Sequence, residues 1–199
     1  QQPTKLGADL IIHSATKYLN GHHDVVAGAV CGSKKLIRKM MTEEFMTLGA
    51  IISPFDAFLV LRGLRTLKLR MAAHEKNTRE VVAFLEKQPK IKAVNFPFAD
   101  QNPQQNLAKK QMTGAGGLLS IELDVPDLAA AERFCDALNH FIIGSSWGGF
   151  ESIQFRACVL HSSENYSSTT LPFNLVRLFI GLEEPEIIIA DLTQALEKI

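Results

Sequence analysis

One stretch constrains the fold more than any other: "SPFDAFLVLRGLRTLKLRMAAHEKNTREVVAFLEKQP", from Ser53 to Pro89. Ser53 is suited to cap a helix, Pro54 to its first turn, and Pro89 to its far end. Phe58, Leu61, Leu64, Met71 and Leu85 recur at near-helical spacing. Gly63 permits close packing or a bend. A helix this long is suited to join two domains, with the boundary in its first half. The expected division is therefore 1–64 and 65–199.

The segments on either side differ in grammar. Upstream, Gly7 to Ser14 carries a continuous apolar run, Leu10, Ile11 and Ile12. Such a run predicts a strand of a parallel sheet covered on both faces. "DVVAGAVC", Asp24 to Cys31, predicts a second strand, whose small residues let a neighbour approach the backbone. Lys34 to Met46 predicts a helix. Downstream, "IKAVNFP" reads as a strand and "FADQNPQQNLAKKQM" as a polar excursion. In "LLSIELDV", Leu119, Ile121, Leu123 and Val125 alternate with Ser120, Glu122 and Asp124, so one face is buried. A helix follows, capped by Asp127. "LVRLFIGL" is a further strand, and a closing helix carries Ile188, Leu192, Ala195 and Ile199 on one side. This alternation predicts a small α+β domain.

The chain of 199 residues has 21 basic and 21 acidic side chains, hence zero formal net charge. Nucleic-acid binding driven by bulk charge is not expected, which leaves only a local basic patch open. No apolar run approaches the ~18 residues that span a bilayer, and no stretch reads as a secretory signal, so no membrane association is expected. Cys31, Cys135 and Cys158 are odd in number and far apart. They form neither a disulfide framework nor a zinc pattern, and a reducing cytoplasm is the expected compartment. The opening "QQPTKLGADL", without an initiator Met, suggests the C-terminal part of a longer protein.

Lys17 is the first candidate for chemistry, in "HSATKYLNGHHD". A lysine amine attacks carbonyls once it is deprotonated. Ser14 and Thr16, two residues apart, would point to one side of an extended segment and offer two hydroxyls to a phosphate. The plain alternative is a strand ending in surface residues. Arg177 lies between Val176 and Leu178, where an unpaired charge is costly. It either forms a structural ion pair or receives an anion. Trp147 packs in a core or lines a pocket. His22, His23 and Asp24 read as a polar loop, not a metal site, because no further ligands follow at zinc spacing. "GAGG", Gly114 to Gly117, precedes a strand, whereas a phosphate loop opens a helix.

Four motifs in order carry a resemblance. "GADLIIHSATKYLNGHHDVVAGAV", "SPFDAFLVLRGLRTLKLRM", "SSWGGFES" and "LVRLFIGLEEPEIIIADLTQAL" are similar to segments of the cystathionine/methionine-metabolism family of pyridoxal-phosphate enzymes. The resemblance implies the C-terminal part of a large parallel-sheet α/β cofactor domain (aspartate-aminotransferase-like, fold type I), followed by a small α+β domain. It implies that Lys17 binds the cofactor covalently and shuttles protons at the substrate's α and γ carbons. Ser14 and Thr16 would hold the cofactor phosphate. Arg177 would pair with the substrate α-carboxylate, with Ser146 and Trp147 lining that pocket. The implied substrate is a small sulfur-containing amino acid, and the implied assembly a homotetramer.

The resemblance also implies what this chain lacks. The family's acid against the pyridine nitrogen, the aromatic over the ring and the backbone phosphate loop lie upstream of the lysine, so the remaining N-terminal part of the same enzyme is an expected partner. The branches of the family pull in different directions. Trp147 and "WGGFES" lean towards bacterial cystathionine β-lyases, whereas "SPFDAFLVLRGL" leans towards γ-synthases and γ-lyases. Ser145 stands where synthases and γ-lyases often carry Glu and bacterial β-lyases Tyr. The expected reaction is carbon–sulfur cleavage of a cystathionine-type thioether. γ-Replacement on an activated homoserine and methionine γ-elimination are the near alternatives. A catalytically silent fragment or binding module that keeps the fold is the alternative of another class.

Overall fold

The computed structural model describes residues 1–164 and 168–199. The chain divides into two compact units, Gln1–Lys68 and Leu69–Ile199. The division falls inside the long helix, α3 (Pro54–Leu85). Its start is set as the sequence predicts, with the Asp56 N–H donating to Ser53 Oγ at 3.1 Å. Its apolar spacing does not mark a buried stripe throughout, because Phe58 and Leu61 are exposed while Leu85 is fully buried.

In the first unit, a 3₁₀ turn (Pro3–Leu6) precedes β1 (Leu10–Ser14). A single wide turn (Ala15–Leu19) leads through a loop to β2 (Gly28–Gly32). The two strands pair antiparallel, with Leu10 opposite Gly32 and Ser14 opposite Gly28. The parallel, doubly covered pairing expected for this strand is thus not the one formed between β1 and β2. The connection from Ala15 to Ala27 holds a single wide turn and not the crossover helix that usually returns a parallel strand. Ile12 is 82% exposed. The helix expected over Lys34 to Met46 breaks in two, α1 (Lys34–Thr42) and α2 (Phe45–Leu48), at Glu43 and Glu44.

The first unit is held chiefly by backbone approach. Gly63 of α3 is buried against Asn20, and a Cβ there would lie 2.1 Å from the Asn20 carbonyl oxygen. Only glycine lets these two segments meet.

The second unit is an α+β domain. β3 (Ile91–Asn95), β4 (Leu118–Leu123), β5 (Ile142–Ile143), β6 (Ile153–Arg156) and β7 (Leu175–Phe179) form one sheet. Its order is β3-β4-β7-β6-β5, with β5 parallel to β6 and the other pairs antiparallel. The alternation of β4 is realised as predicted, with Leu119, Ile121 and Leu123 buried. They join Val176 and Leu178 of β7, Val81 and Leu85 of α3, Phe134 and Cys135 of α5 (Leu128–Ala137), and Ile188 and Leu192 of α7 (Pro185–Leu196) in one core. Asp127 caps α5, accepting from Ala130 N–H at 2.8 Å. Two helices fall where none was expected: α4 (Gln105–Gln111) in the polar excursion, and α6 (Cys158–His161) after β6.

Candidate functional site

Lys17 stands in a turn whose closure is wider than that of an α-helix. Asn20 N–H donates to the Ala15 carbonyl, five residues back, at 3.0 Å. Such π-type turns recur at functional positions. Lys17 itself has ψ −126°, outside the helical range. Its carbonyl accepts from Gly21 N–H at 2.8 Å, which ties its main chain to the following loop, and the residue is partly exposed. Ala15, buried beneath, anchors the turn.

Thr16 is placed differently from the extended-strand picture. It lies in the turn, so the period-2 argument that put it beside Ser14 does not apply. Its hydroxyl accepts from Ala27 N–H at 2.9 Å and donates to the Ala27 carbonyl at 3.2 Å. The same carbonyl also accepts Thr16 N–H at 3.1 Å. The Thr16 hydroxyl hydrogen can therefore turn to another acceptor without orphaning that carbonyl. Ser14, the last residue of β1, is exposed. The following loop is tied by Asn20 Nδ2 donating to Asp24 at 2.7 Å, and His22 Nδ1 lies 2.8 Å from the Asn20 carbonyl.

The second unit brings three further candidates together. Strand alternation sends Val176 and Leu178 into the core and Arg177 to the opposite face. There Arg177 lies directly across from Phe155 of β6 and Ser120 of β4. Its Nη2 donates to the carbonyls of Ser146 at 3.2 Å and Gly144 at 3.4 Å. Its guanidinium carbon lies 5.5 Å from the Trp147 ring centroid and 5.3 Å from that of Phe155, within cation–π range. Nε is buried with no hydrogen-bond partner among the described residues. No carboxylate among them pairs with Arg177, and burial pulls its pKa down from the ordinary value. The ion-pair alternative thus finds no carboxylate among the described residues, and the guanidinium is held by two carbonyls instead.

Residues that the sequence did not single out hold this loop. Ser152, fully buried, donates its N–H to Glu183 at 2.7 Å and its hydroxyl to the same carboxylate at 3.0 Å. Gly181 N–H donates to Ser152 Oγ at 3.0 Å. Asn77 Nδ2 donates to the carbonyls of Gly181 and Glu183 at 3.3 and 2.8 Å, and His74 Nδ1 meets the Ile180 carbonyl at 2.9 Å. The signal for this network is a polar stripe on α3, His74 and Asn77 among buried Val81 and Leu85, three or four residues apart. Phe155 escaped notice because β6 reads as a loop until β7 is placed beside it. The "GAGG" segment does bind an anion, but an internal one. Ala115 and Gly116 N–H groups donate to Glu75 at 2.7 and 3.0 Å. Among the described residues, no group of three or more His, Cys, Asp or Glu side chains is placed to hold a metal ion.

Comparison with known proteins bears on both units together. The chain is 41% identical over 202 residues to an L-methionine gamma-lyase of Pseudomonas putida, a match covering 99% of this chain and 50% of that protein. It is 40% identical over 202 residues to a cystathionine beta-lyase of Lactococcus lactis subsp. cremoris, covering 100% of this chain and 53% of that protein. A crystal structure of metB from Corynebacterium glutamicum superposes with a TM-score of 0.88 at 35% identity, over 99% of this chain and 51% of that one. The chain thus has an α/β fold shared with that structure, and it spans about half the length of the relatives it matches. The model of the Cys/Met metabolism PLP-dependent enzymes matches residues 1–197, and the chain belongs to that family.

Proposed function

We propose that the chain is the C-terminal half of a pyridoxal-phosphate-dependent carbon–sulfur lyase whose substrate is a cystathionine-type thioether amino acid. Residues 1–64 would end the cofactor domain and 65–199 form the small domain. The division of the chain inside α3 supports this reading. The observation that carries the function is Arg177. It is a half-buried guanidinium on an apolar strand, with two aromatic faces beside it and no carboxylate among the described residues to pair with.

The donor set of the first unit fits the cofactor: two hydroxyls for a phosphate and an amine for an aldehyde, within four residues. Bound pyridoxal phosphate supplies an electron sink for the pair left behind at the substrate's α carbon. Ser14 and Thr16 would hold the phosphate, Thr16 by redirecting the hydrogen it now gives to Ala27. Lys17 would take the proton from the α carbon and return a proton where the sulfur leaves. Arg177 would hold the α-carboxylate through its planar fork, which fixes the direction of the α C–H bond. Ser146 fixes that fork through its carbonyl. Trp147 beside it keeps water from the guanidinium, where the charge pair gains strength.

The first unit leaves apolar side chains uncovered, Ile12 and Val26 at 82% and 90% exposure among them. We assign their cover to the polypeptide that matches the other half of the relatives' length, and the assembly to a homotetramer in the cytoplasm. No helix among the described residues is long and apolar enough to cross a membrane.

The test uses the full-length polypeptide with added pyridoxal phosphate. The wild type should develop a visible absorption band that Lys17→Ala abolishes. Borohydride labelling of a different lysine would refute the assignment of Lys17. Arg177→Ala should keep the band and raise KM about 10–100-fold, as expected for loss of a charged hydrogen bond worth ~1.5–3 kcal/mol. Unchanged kinetics would remove Arg177 from the site. With cystathionine, pyruvate reports β-elimination and 2-oxobutyrate γ-elimination. Neither product would leave the γ-replacement readings.

A further inference from the structure

The loop that meets Arg177 runs from Gly144 to Ser152, between the end of β5 and the start of β6, and forms no regular element. Its sequence, "GSSWGGFES", is rich in glycine and serine. Such a chain loses much conformational freedom when it is held in one shape. Yet the carbonyls of Gly144 and Ser146 meet the Arg177 guanidinium, and the Trp147 ring lies beside it. The fork is only as well aimed as this loop is well fixed.

The fixing is concentrated at the loop's far end. Ser152 is 0% exposed, and each of its polar atoms is bonded. Its N–H and its hydroxyl donate to the two carboxylate oxygens of Glu183, at 2.7 and 3.0 Å. Its hydroxyl oxygen accepts Gly181 N–H at 3.0 Å, and its carbonyl accepts Ile142 N–H at 2.9 Å. The Phe150 carbonyl accepts Leu182 N–H at 2.8 Å. The loop is thus laid on the turn between β7 and α7. The fit leaves no room for another atom. A Cβ at Gly181 would lie 2.2 Å from Glu183 Oε2 and 2.4 Å from the Phe150 carbonyl oxygen. Asn77 of α3 holds the same turn through the Glu183 and Gly181 carbonyls.

We infer that Glu183 is a positioning residue for Arg177. Its carboxylate, fastened to Ser152, sets the loop whose carbonyls and indole orient the guanidinium. This role rests on the reading of Arg177 as the group that takes the substrate α-carboxylate. Two paths join the residues: β7 on one side, and the loop from Ser152 back to Ser146 on the other. They close a ring that is fastened at Glu183 and read out at Arg177. A carboxylate suits the task, because it accepts from both donors of one residue in charge-assisted bonds. Its removal leaves those donors buried and unsatisfied, so the loop must shift to rehydrate them. Lys17 lies in the other unit and takes no part, so attachment of the cofactor should survive.

The test uses the full-length polypeptide with pyridoxal phosphate and cystathionine. Glu183→Ala should keep the visible band and raise KM about 3–10-fold. Glu183→Gln, which keeps an oxygen for the Ser152 N–H, should stay within about twofold of the wild type. On the Arg177→Ala background, Glu183→Ala should add nothing to KM. A further rise of the same size would mean that Glu183 acts apart from Arg177, and would overturn the inference. If Arg177→Ala itself leaves KM unchanged, the reading of Arg177 fails, and a measurement without substrate still judges Glu183. Trp147 is the one tryptophan of this chain. With fluorinated tryptophan incorporated, its fluorine NMR line is identified by its loss in Trp147→Phe. Glu183→Ala should shift that line, as should Arg177→Ala, and Glu183→Gln should restore it. A line unmoved by Glu183→Ala would overturn the inference whatever the kinetics. Should that variant not fold, Ser152→Ala removes only the hydroxyl, and an unmoved line there is equally fatal.

Discussion

The two units of this chain are held together by different physics. In Leu69–Ile199, side chains from the sheet and from α3, α5 and α7 close a continuous apolar core. In Gln1–Lys68, Ala15 and Val25 are the buried apolar side chains, while Leu6, Ile12, Val26, Met46, Leu48 and Phe55 stand out in solvent. What orders that unit is main chain meeting main chain or a short side chain: β1 on β2, Thr16 on Ala27, Gly63 on Asn20. One unit therefore depends on apolar volume, and the other on close approach. Removing carbon should injure the first kind, and adding carbon the second.

The largest effect is expected from Ile121→Ala in the core of the second unit, where truncation should cost about 2–5 kcal/mol in a urea titration. Gly63→Ala should follow, at about 1–3 kcal/mol. Its extra methyl would meet the Asn20 backbone, which has no rotamer to yield, and faster amide exchange over Asn20 to Asp24 would report it. Equal tolerance at both positions would end the distinction.

Acid should act on the second unit only modestly, through His74. Burial, first among its influences, lowers the His74 pKa from 6.5, and the nearby Arg70 adds to the effect against hydrogen bonds to the Ile180 and Gly181 backbone. The unfolded chain then binds the proton more readily than the folded one. Stability is complete above the unfolded-state value and falls as pH drops through it. A denaturation series between about pH 7 and 5 should show that slope, and His74→Asn should flatten it. An unchanged slope would mean that other groups govern it. The smallest effect belongs to Ile12→Ala, within about 0.5 kcal/mol for this chain alone. A loss as large as that at Ile121 would mean that Ile12 is covered in solution.

What was legible in the sequence follows the same line. The alternation of β4, the caps at Ser53 and Asp127 and the apolar side of α7 are local patterns, and each appears where it was expected. The partner of β1 was not legible, because a run such as Leu10 to Ile12 reports only that burial is sought, not which strand supplies it. α4 was hidden because Gln105 to Gln111 carries almost no apolar stripe. β6 spans four residues and gains its identity from β7, placed beside it by distant chain. Arg177 could be singled out from its apolar neighbours, but Phe155 could not. Its closeness to Arg177 is a cross-strand contact, invisible in one dimension.

The double hold of Thr16 on Ala27 makes that peptide group a reporter. The Ala27 carbonyl now accepts two hydrogens from Thr16, one from the amide and one from the hydroxyl. A phosphate that claimed the hydroxyl hydrogen, as proposed, would leave that carbonyl with one donor, while the Ala27 N–H would keep its bond to Thr16 Oγ1. On the role proposed for Thr16, a carbon-13 label at that one carbonyl would register phosphate binding by a shift in frequency, a readout that needs neither colour nor turnover.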